Sequence, residues 1–493
     1  MDGQETLFSQ LSALAASDVA PLHMPGHKRN CEGIGFLEEL GAKYDITEIE
    51  GFDDLHDPQG VLLASMARAG VLWRSEKSLF LVNGSTGGIL AAIRACAKSG
   101  GGRLIMARNC HKSVYNAAQL CDLEPIYIPT PSVSGFGFCG SISPKLIEQT
   151  VRDNPGTPVI ITSPTYEGVL SNISEISIIC HLYGSPLIVD EAHGAHLDLS
   201  PYFTGGAVVA GADIAVQSIH KTLSGLTQSA ILHLNSDLIS AEEIRRELAV
   251  FQTSSPSYPI MASIDGTVRL IDERGSELFS AWKKRLDRFD RRVSGLRNLK
   301  IPGHSEFFEC QSGQRSAGYL RMGLGNGQVY GFDRSKIIIS CEGTDTTGVG
   351  LLRLLRDRFN IQCEMAAGGH CIAMTGLLDH DEHIERLADA IAVLDDEIHR
   401  TAPRLPMSPP SIPPRRTSIS VAVNEPVRSL SLRDARGTIS AEYVWVYPPG
   451  VPLVVPGEEL TEELISSFII QREAGVALKS SSGGMPRTIK AIK

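Results

Sequence analysis

Three stretches of this sequence set a reactive side chain at the end of an apolar run. DIAVQSIHKTLSGL, residues 213–226, closes its run with Ser218, Ile219, His220 and Lys221. Burial at a strand end disfavours the ammonium form of a lysine and makes its amine a nucleophile toward carbonyl carbon. LIVDEAHGAH, residues 187–196, ends its run on Asp190. A carboxylate there lies where open α/β sheets receive ligands. It can pair with a pyridinium nitrogen and keep it protonated, so that the ring accepts electrons. LVNGSTGGILAAIRA, residues 81–95, reads as a strand, a turn of small residues and a helix. The free N–H groups opening that helix, with the Ser85 and Thr86 hydroxyls, form a cradle for phosphate.

Each stretch also has a plain structural reading. Most lysines are solvated, and two further His-Lys pairs occur at 27–28 and 111–112. A small-residue turn is a common join between strand and helix. It is not a Walker A loop, because no Gly-Lys-[Ser/Thr] occurs, so the DEAH at 190–193 is not an ATPase signature. His193 and His196 are spaced for a metal, but zinc needs a third ligand and none is evident. Hydrogen-bonded histidines and no metal are expected. Lys221 stands out by its context: Asp190 and Lys221 on neighbouring strand ends can grip opposite sides of one ring.

The elements that must hold these residues alternate. The apolar runs SLFLV (78–82), RLIMA (103–107), PVIIT (158–162), PLIVD (186–190), DIAVQS (213–218) and SAILHL (229–234) are separated by helix-like stretches such as 88–98 and 113–120. Runs apolar on both faces between helices predict an α/β body with a mostly parallel sheet. Expected divisions are an N-terminal helix and arm (1–30), a large domain (31–275), a smaller α+β domain (276–400), a Pro-rich linker (401–416) and a C-terminal α+β domain (417–493). The smaller domain carries KIIIS (336–340) as a strand, a helix over 347–359 and another over 381–399. In the tail, 418–423 and 443–447 read as strands and 461–473 as a helix.

At 493 residues, with 42% hydrophobic and 21% charged residues, the chain can bury a large core in roughly three domains. A formal charge of −10, from 46 basic and 56 acidic residues, argues against binding nucleic acid and suits a cationic substrate. Ten cysteines scattered without a C-x-x-C pair read as reduced thiols. The start lacks a basic signal region, and no apolar run approaches the roughly 18 residues of a membrane span. The expectation is a cytoplasmic protein with no membrane partner.

These motifs together resemble the Orn/Lys/Arg decarboxylase family, which has a fold-type-I, aspartate-aminotransferase-like large domain. The resemblance runs in order through HMPGHK (23–28), DITEIEGFDDLHDPQG (45–60), NGSTGG (83–88), RNCHKS (108–113), SPTYEG (163–168), DEAHGAH (190–196), SIHKTL (218–223), TSSPSY (253–258) and AEYVWVYPPGVPLVVPGE (441–458). It implies pyridoxal phosphate bound as a Schiff base on Lys221, with Asp190 at the pyridine nitrogen. Ser85, Thr86, Ser218 and His220 would hold the phosphate. His111 would stack on the ring, with His193 against the ring or its hydroxyl side. Thr165 and Tyr166 are strand-end neighbours without an assigned role. TSSPSY would reach a partner's site in a homodimer, with a higher homo-oligomer as the alternative. The chain begins almost at the PGHK arm, like the shorter biosynthetic-type members that have no receiver-like domain.

The resemblance implies decarboxylation of a basic amino acid in polyamine metabolism, arginine first and lysine or ornithine next. Lys221 or His220 would return the proton to Cα. Acidic candidates for the cationic end are Asp53, Asp54, Glu442 and Glu458, each of which can equally be solvated or cap a helix. Aminotransfer on the same scaffold, or a non-catalytic descendant that binds the cofactor, are the alternatives.

Overall fold

The apolar runs of the first half form the centre of the structure, a computed structural model. It describes residues 6–30, 34–133, 136–302, 329–401, 411–447, 450–473, 475–483 and 487–493. The runs become the strands Lys77–Leu81, Arg103–Ala107, Val159–Thr162, Leu187–Asp190, Ile214–Ser218 and Ala230–Leu234. The last three are buried at every position, which is why they show no polar alternation. A seventh strand, Glu124–Ile128, lies at the sheet edge and is only partly buried. Its mixed burial and Pro125 leave it without an unbroken apolar run.

The spatial order is 77–81, 230–234, 214–218, 187–190, 159–162, 103–107, 124–128. Pairing is parallel from 124–128 through 214–218, while 230–234 runs antiparallel to both its neighbours. The parallel strands therefore deliver Asp190 and Ser218 to one edge of the sheet. The helix Gly84–Cys96 crosses this sheet closely. A Cβ at Gly88 would meet Leu81 Cδ1 at 2.5 Å and Val216 Cγ1 at 2.9 Å, so only glycine lets the helix start lie over the strand ends. Gly84 opens the helix at φ +67°, in the left-handed region that favours glycine.

A 35-residue helix, Tyr258–Arg292, follows, with Tyr258, Phe279, Trp282 and Phe289 buried. The boundary expected at 275–276 falls inside this single element. Beyond it, Lys336–Ser340, His370–Met374 and Met365–Ala366 form a small antiparallel sheet with the helices Gly348–Phe359 and Asp381–Glu397. The tail has its own apolar cluster, including Val444, Val454, Leu464, Phe468 and Leu478, around the helix Glu462–Glu473 and the sheet of Val444–Val446, Val451–Val454 and Leu478–Ser480. The strand expected at 418–423 is instead a short helix, Ile419–Ala422. Ser418 accepts from Val421 N at its start, a capping bond that outweighs the β-branched run. Most of the Pro-rich 401–416 stretch lies outside the described residues. Among the described residues no helix is long and apolar enough to cross a membrane.

Candidate active site

Beyond the C-terminal ends of the parallel strands lies a cavity of about 790 Å³, within the range usual for small-molecule sites. Its walls include Asn83, Gly84, Ser85 and Thr86 from the 83–88 turn, and Asp190, His193, Ser218, His220 and Lys221 from the strand ends. His111 lines it as well. Of the lysines in the three His-Lys pairs, Lys221 alone is a lining residue. Lys112 instead places its ammonium 5.0 Å from the Trp445 ring centre.

Lys221 lies on a four-residue helical turn, Ile219–Thr222, that follows directly on the strand Ile214–Ser218. Burial pulls its ammonium from 10.5 down to about 8; Asp190 opposes this, and the nearby Lys336 adds to it. Its Nζ lies 2.9 Å from His193 Nε2. Burial, with Lys221 and Lys336 nearby, holds His193 well below the ordinary imidazole range, so the neutral ring accepts this bond. The ring proton then sits on Nδ1, which is buried and has no partner among the described residues. A buried unpartnered N–H in a cavity wall is suited to a ligand acceptor. Asp190, raised by burial and countered by Lys221, accepts from Ala192 N at 3.2 Å.

Ser85 and Ser218 hydroxyls lie 2.6 Å apart, which joins the helix start to the strand end as a phosphate cradle requires. His220 Nδ1 bonds the Ser229 carbonyl at 2.9 Å. His193, and not its sequence neighbour His220, is therefore the imidazole against the Lys221 amine. His111 caps the helix Lys112–Leu120, its Nδ1 accepting from Ser113 N at 3.2 Å. Burial, helped by Lys221 and Lys112, lowers it to about 4, so its ring is neutral and able to stack. Tyr166 meets the His193 ring edge-on at 4.6 Å and its hydroxyl donates to Glu364. Thr165 lines the cavity too.

The four acidic candidates for a cationic substrate end lie elsewhere. Asp53 accepts from the backbone N–H groups of Gln59, Gly60 and Leu62, capping the helix Val61–Trp73. Asp54 accepts from His56 N. Glu442 accepts from Lys490 N at 2.7 Å, and Glu458 holds Arg108 at 3.0 Å in a buried pair. None of the four lines the cavity. The carboxylates that do, besides Asp190, are Glu167, Glu342 and Glu364. Of these, only Glu167 fell within a motif read from the sequence. Glu364 precedes a two-residue strand and reads locally as any surface glutamate; it stays exposed, and only tertiary packing sets it on the cavity wall.

Fold and site together define a fold-type-I α/β enzyme. The chain belongs to the Orn/Lys/Arg decarboxylase family: the family's major domain matches residues 6–349 and its C-terminal domain residues 396–475. It is 28% identical to an arginine decarboxylase of Bacillus subtilis over 502 residues, covering 100% of this chain and 99% of that one. It is 31% identical to the uncharacterized protein YaaO of the same organism over 480 residues, covering 94% and 93%. The crystal structure of the Francisella novicida lysine decarboxylase LdcF shares the fold. Its TM-score is 0.80 at 20% identity, over 99% of this chain and 81% of that one.

Proposed function

We propose that this chain binds pyridoxal phosphate through Lys221 and decarboxylates a basic amino acid, arginine first and lysine or ornithine next, to the amine and CO2. The observation that carries the reading is the amine of Lys221, buried at a strand end against His193 and near Asp190, in one cavity with the Ser85–Ser218 cradle. The donor set fits the cofactor: an amine for its aldehyde, a carboxylate for its ring nitrogen, and hydroxyls with helix-start N–H groups for its phosphate. When bound, pyridoxal phosphate supplies the sink for the electron pair left at Cα by departing CO2.

The chain's own residues do the rest. Asp190 keeps a proton on the ring nitrogen. His111 provides a flat neutral face. Lys221 returns a proton to Cα as general acid, with His193 in hydrogen-bond reach to exchange it. Glu364 lies near enough to Lys221 to act on its charge, and shares the cavity with Glu167 and Glu342. Carboxylates there suit a cationic substrate tail, and a planar guanidinium can engage one with two hydrogen bonds. The whole-length similarity to a Bacillus subtilis arginine decarboxylase supports arginine as the first choice.

Thr253, Ser254 and Ser255 are exposed and outside the cavity of their own chain, which supports their serving the site of a second copy in a homodimer. Cys96, Cys110, Cys121, Cys139, Cys180, Cys363 and Cys371 are free thiols, which supports a reducing, cytoplasmic setting. In the test, purified protein is incubated separately with arginine, lysine and ornithine, and agmatine, cadaverine and putrescine are measured by mass. Agmatine is expected in greatest yield, and Lys221→Ala should abolish turnover. Absence of all three amines would sink the decarboxylase reading.

A further inference from the structure

A cluster of buried charge adjoins the site without lining the cavity. The side chains of His196, Asp333 and Lys336 have no exposed surface. Lys336 Nζ donates to Asp333 Oδ2 at 3.1 Å, to Ser335 Oγ at 2.7 Å and to the His193 carbonyl at 3.4 Å. His196 bonds Asp333 Oδ1 at 3.0 Å through Nε2, and Thr222 Oγ1 at 3.1 Å through Nδ1. The backbone N–H of Asp333 donates to the Gly168 carbonyl at 2.7 Å. One turn at the start of the smaller sheet therefore holds three site segments: the loop of Thr165, Tyr166 and Glu167, the loop of His193, and the turn of Lys221. Leu377, beyond the same sheet, donates its N–H to the Thr222 carbonyl at 2.9 Å.

Stability alone is a poor account of this cluster. Desolvating fixed charges offsets most of their attraction, and well-packed apolar residues of the same volume often serve as well or better. What paired charges add is direction. Burial would raise the Asp333 carboxyl, but His196 and Lys336 overcome it and hold the group below the carboxylate range. Asp333 is thus ionised at any working pH and keeps both partners in place.

We propose that Asp333, Lys336 and His196 are positioning residues: they lock the Lys221 turn and the His193 loop in register, and the Lys336 charge disfavours a proton on the Lys221 nitrogen. The inference rests on Lys221 being the cofactor lysine. The charged and titratable groups around Lys221 are Asp190, His193, His111, its neighbour His220, and Glu364 and Lys336 from the smaller sheet. Of these, Lys336 is the one cation held outside the cavity.

The test compares cofactor-loaded wild type, Lys336→Met, Thr222→Val and Thr222→Ser. It reads the pH midpoint of the visible absorbance change, kcat and KM separately, and the melting temperature. Loss of a neighbouring cation favours the protonated form at Lys221, so Lys336→Met should move the midpoint up by roughly one pH unit. Thr222→Val should lower kcat about tenfold with KM little changed, and Thr222→Ser should restore it. If Lys336→Met does not fold, the Thr222 pair decides. An unmoved midpoint with wild-type kcat in Thr222→Val overturns the proposal, whatever the melting temperatures do. Borohydride reduction of wild type separates the two readings. A label on another lysine sinks both, whereas a label on Lys221 with unmoved midpoint and kcat sinks only this one.

Discussion

The proton of Lys221 links this one residue to the stability of the whole chain. Without cofactor, the folded chain releases it near pH 8, whereas an ordinary lysine holds it to 10.5. Between those values the unfolded state binds more protons, so stability rises with pH across that window. Below about pH 8 the full penalty of the buried ammonium is present. Cofactor-free Lys221→Met should therefore melt above cofactor-free wild type at pH 7, and the difference should shrink as pH rises from 8 to 10.5. A variant that melts below wild type at pH 7 would refute the burial argument. Stability traded for a reactive amine is what a catalytic lysine entails.

At the scale of elements, the site depends on how closely one helix approaches one sheet. The helix Gly84–Cys96 supplies Ser85 and Thr86, and the strand Ile214–Ser218 supplies Ser218; Gly88 sets their spacing against Val216 and Leu81. Gly88→Ala inserts a methyl where 2.5 Å and 2.9 Å are free. Overpacking of this kind destabilises by about 1–3 kcal/mol. The variant should melt lower and, because Ser85 must move off Ser218, should release pyridoxal phosphate faster in dialysis. A lower melting temperature with unchanged cofactor retention would show that the spacing is not what holds the phosphate.

At the scale of the whole molecule, the C-terminal segment closes onto the element that carries His111. Arg108 bonds the Leu453 carbonyl and Glu458, Lys112 N donates to the Gly450 carbonyl at 3.0 Å, and Tyr443 bonds Gln119 at 2.9 Å. Removing one member of a buried ion pair leaves the other charge uncompensated, at about 3–5 kcal/mol. Arg108→Met should therefore lower the first melting transition more than Arg108→Met/Glu458→Met does. Equal losses in the single and double variants would place the energy in packing and not in the charge pair.

The central sheet was legible wherever a strand is buried on both faces, because water exclusion at each position leaves an unbroken apolar run. The edge strand Glu124–Ile128 was not, since half of it meets solvent and pattern alone cannot separate it from a loop. Lys221, Asp190 and the 83–88 turn were legible because each ends or follows such a run, and parallel strands carry their ends to one side. The four acidic residues chosen for the substrate failed for the opposite reason. A carboxylate in a loop has the same local signature whether it caps a helix, as Asp53 does, or pairs with a buried arginine, as Glu458 does. The sequence by itself thus determined the strands, their order of reactive ends and the chemistry those ends can do. Which imidazole meets the Lys221 amine, which glutamates line the cavity, and how the 333–336 turn grips His193 and, through His196, Thr222 were decided only by tertiary packing. The His193–Lys221 contact spans 28 positions and the Lys336–His193 contact 143, and no local spacing encodes them.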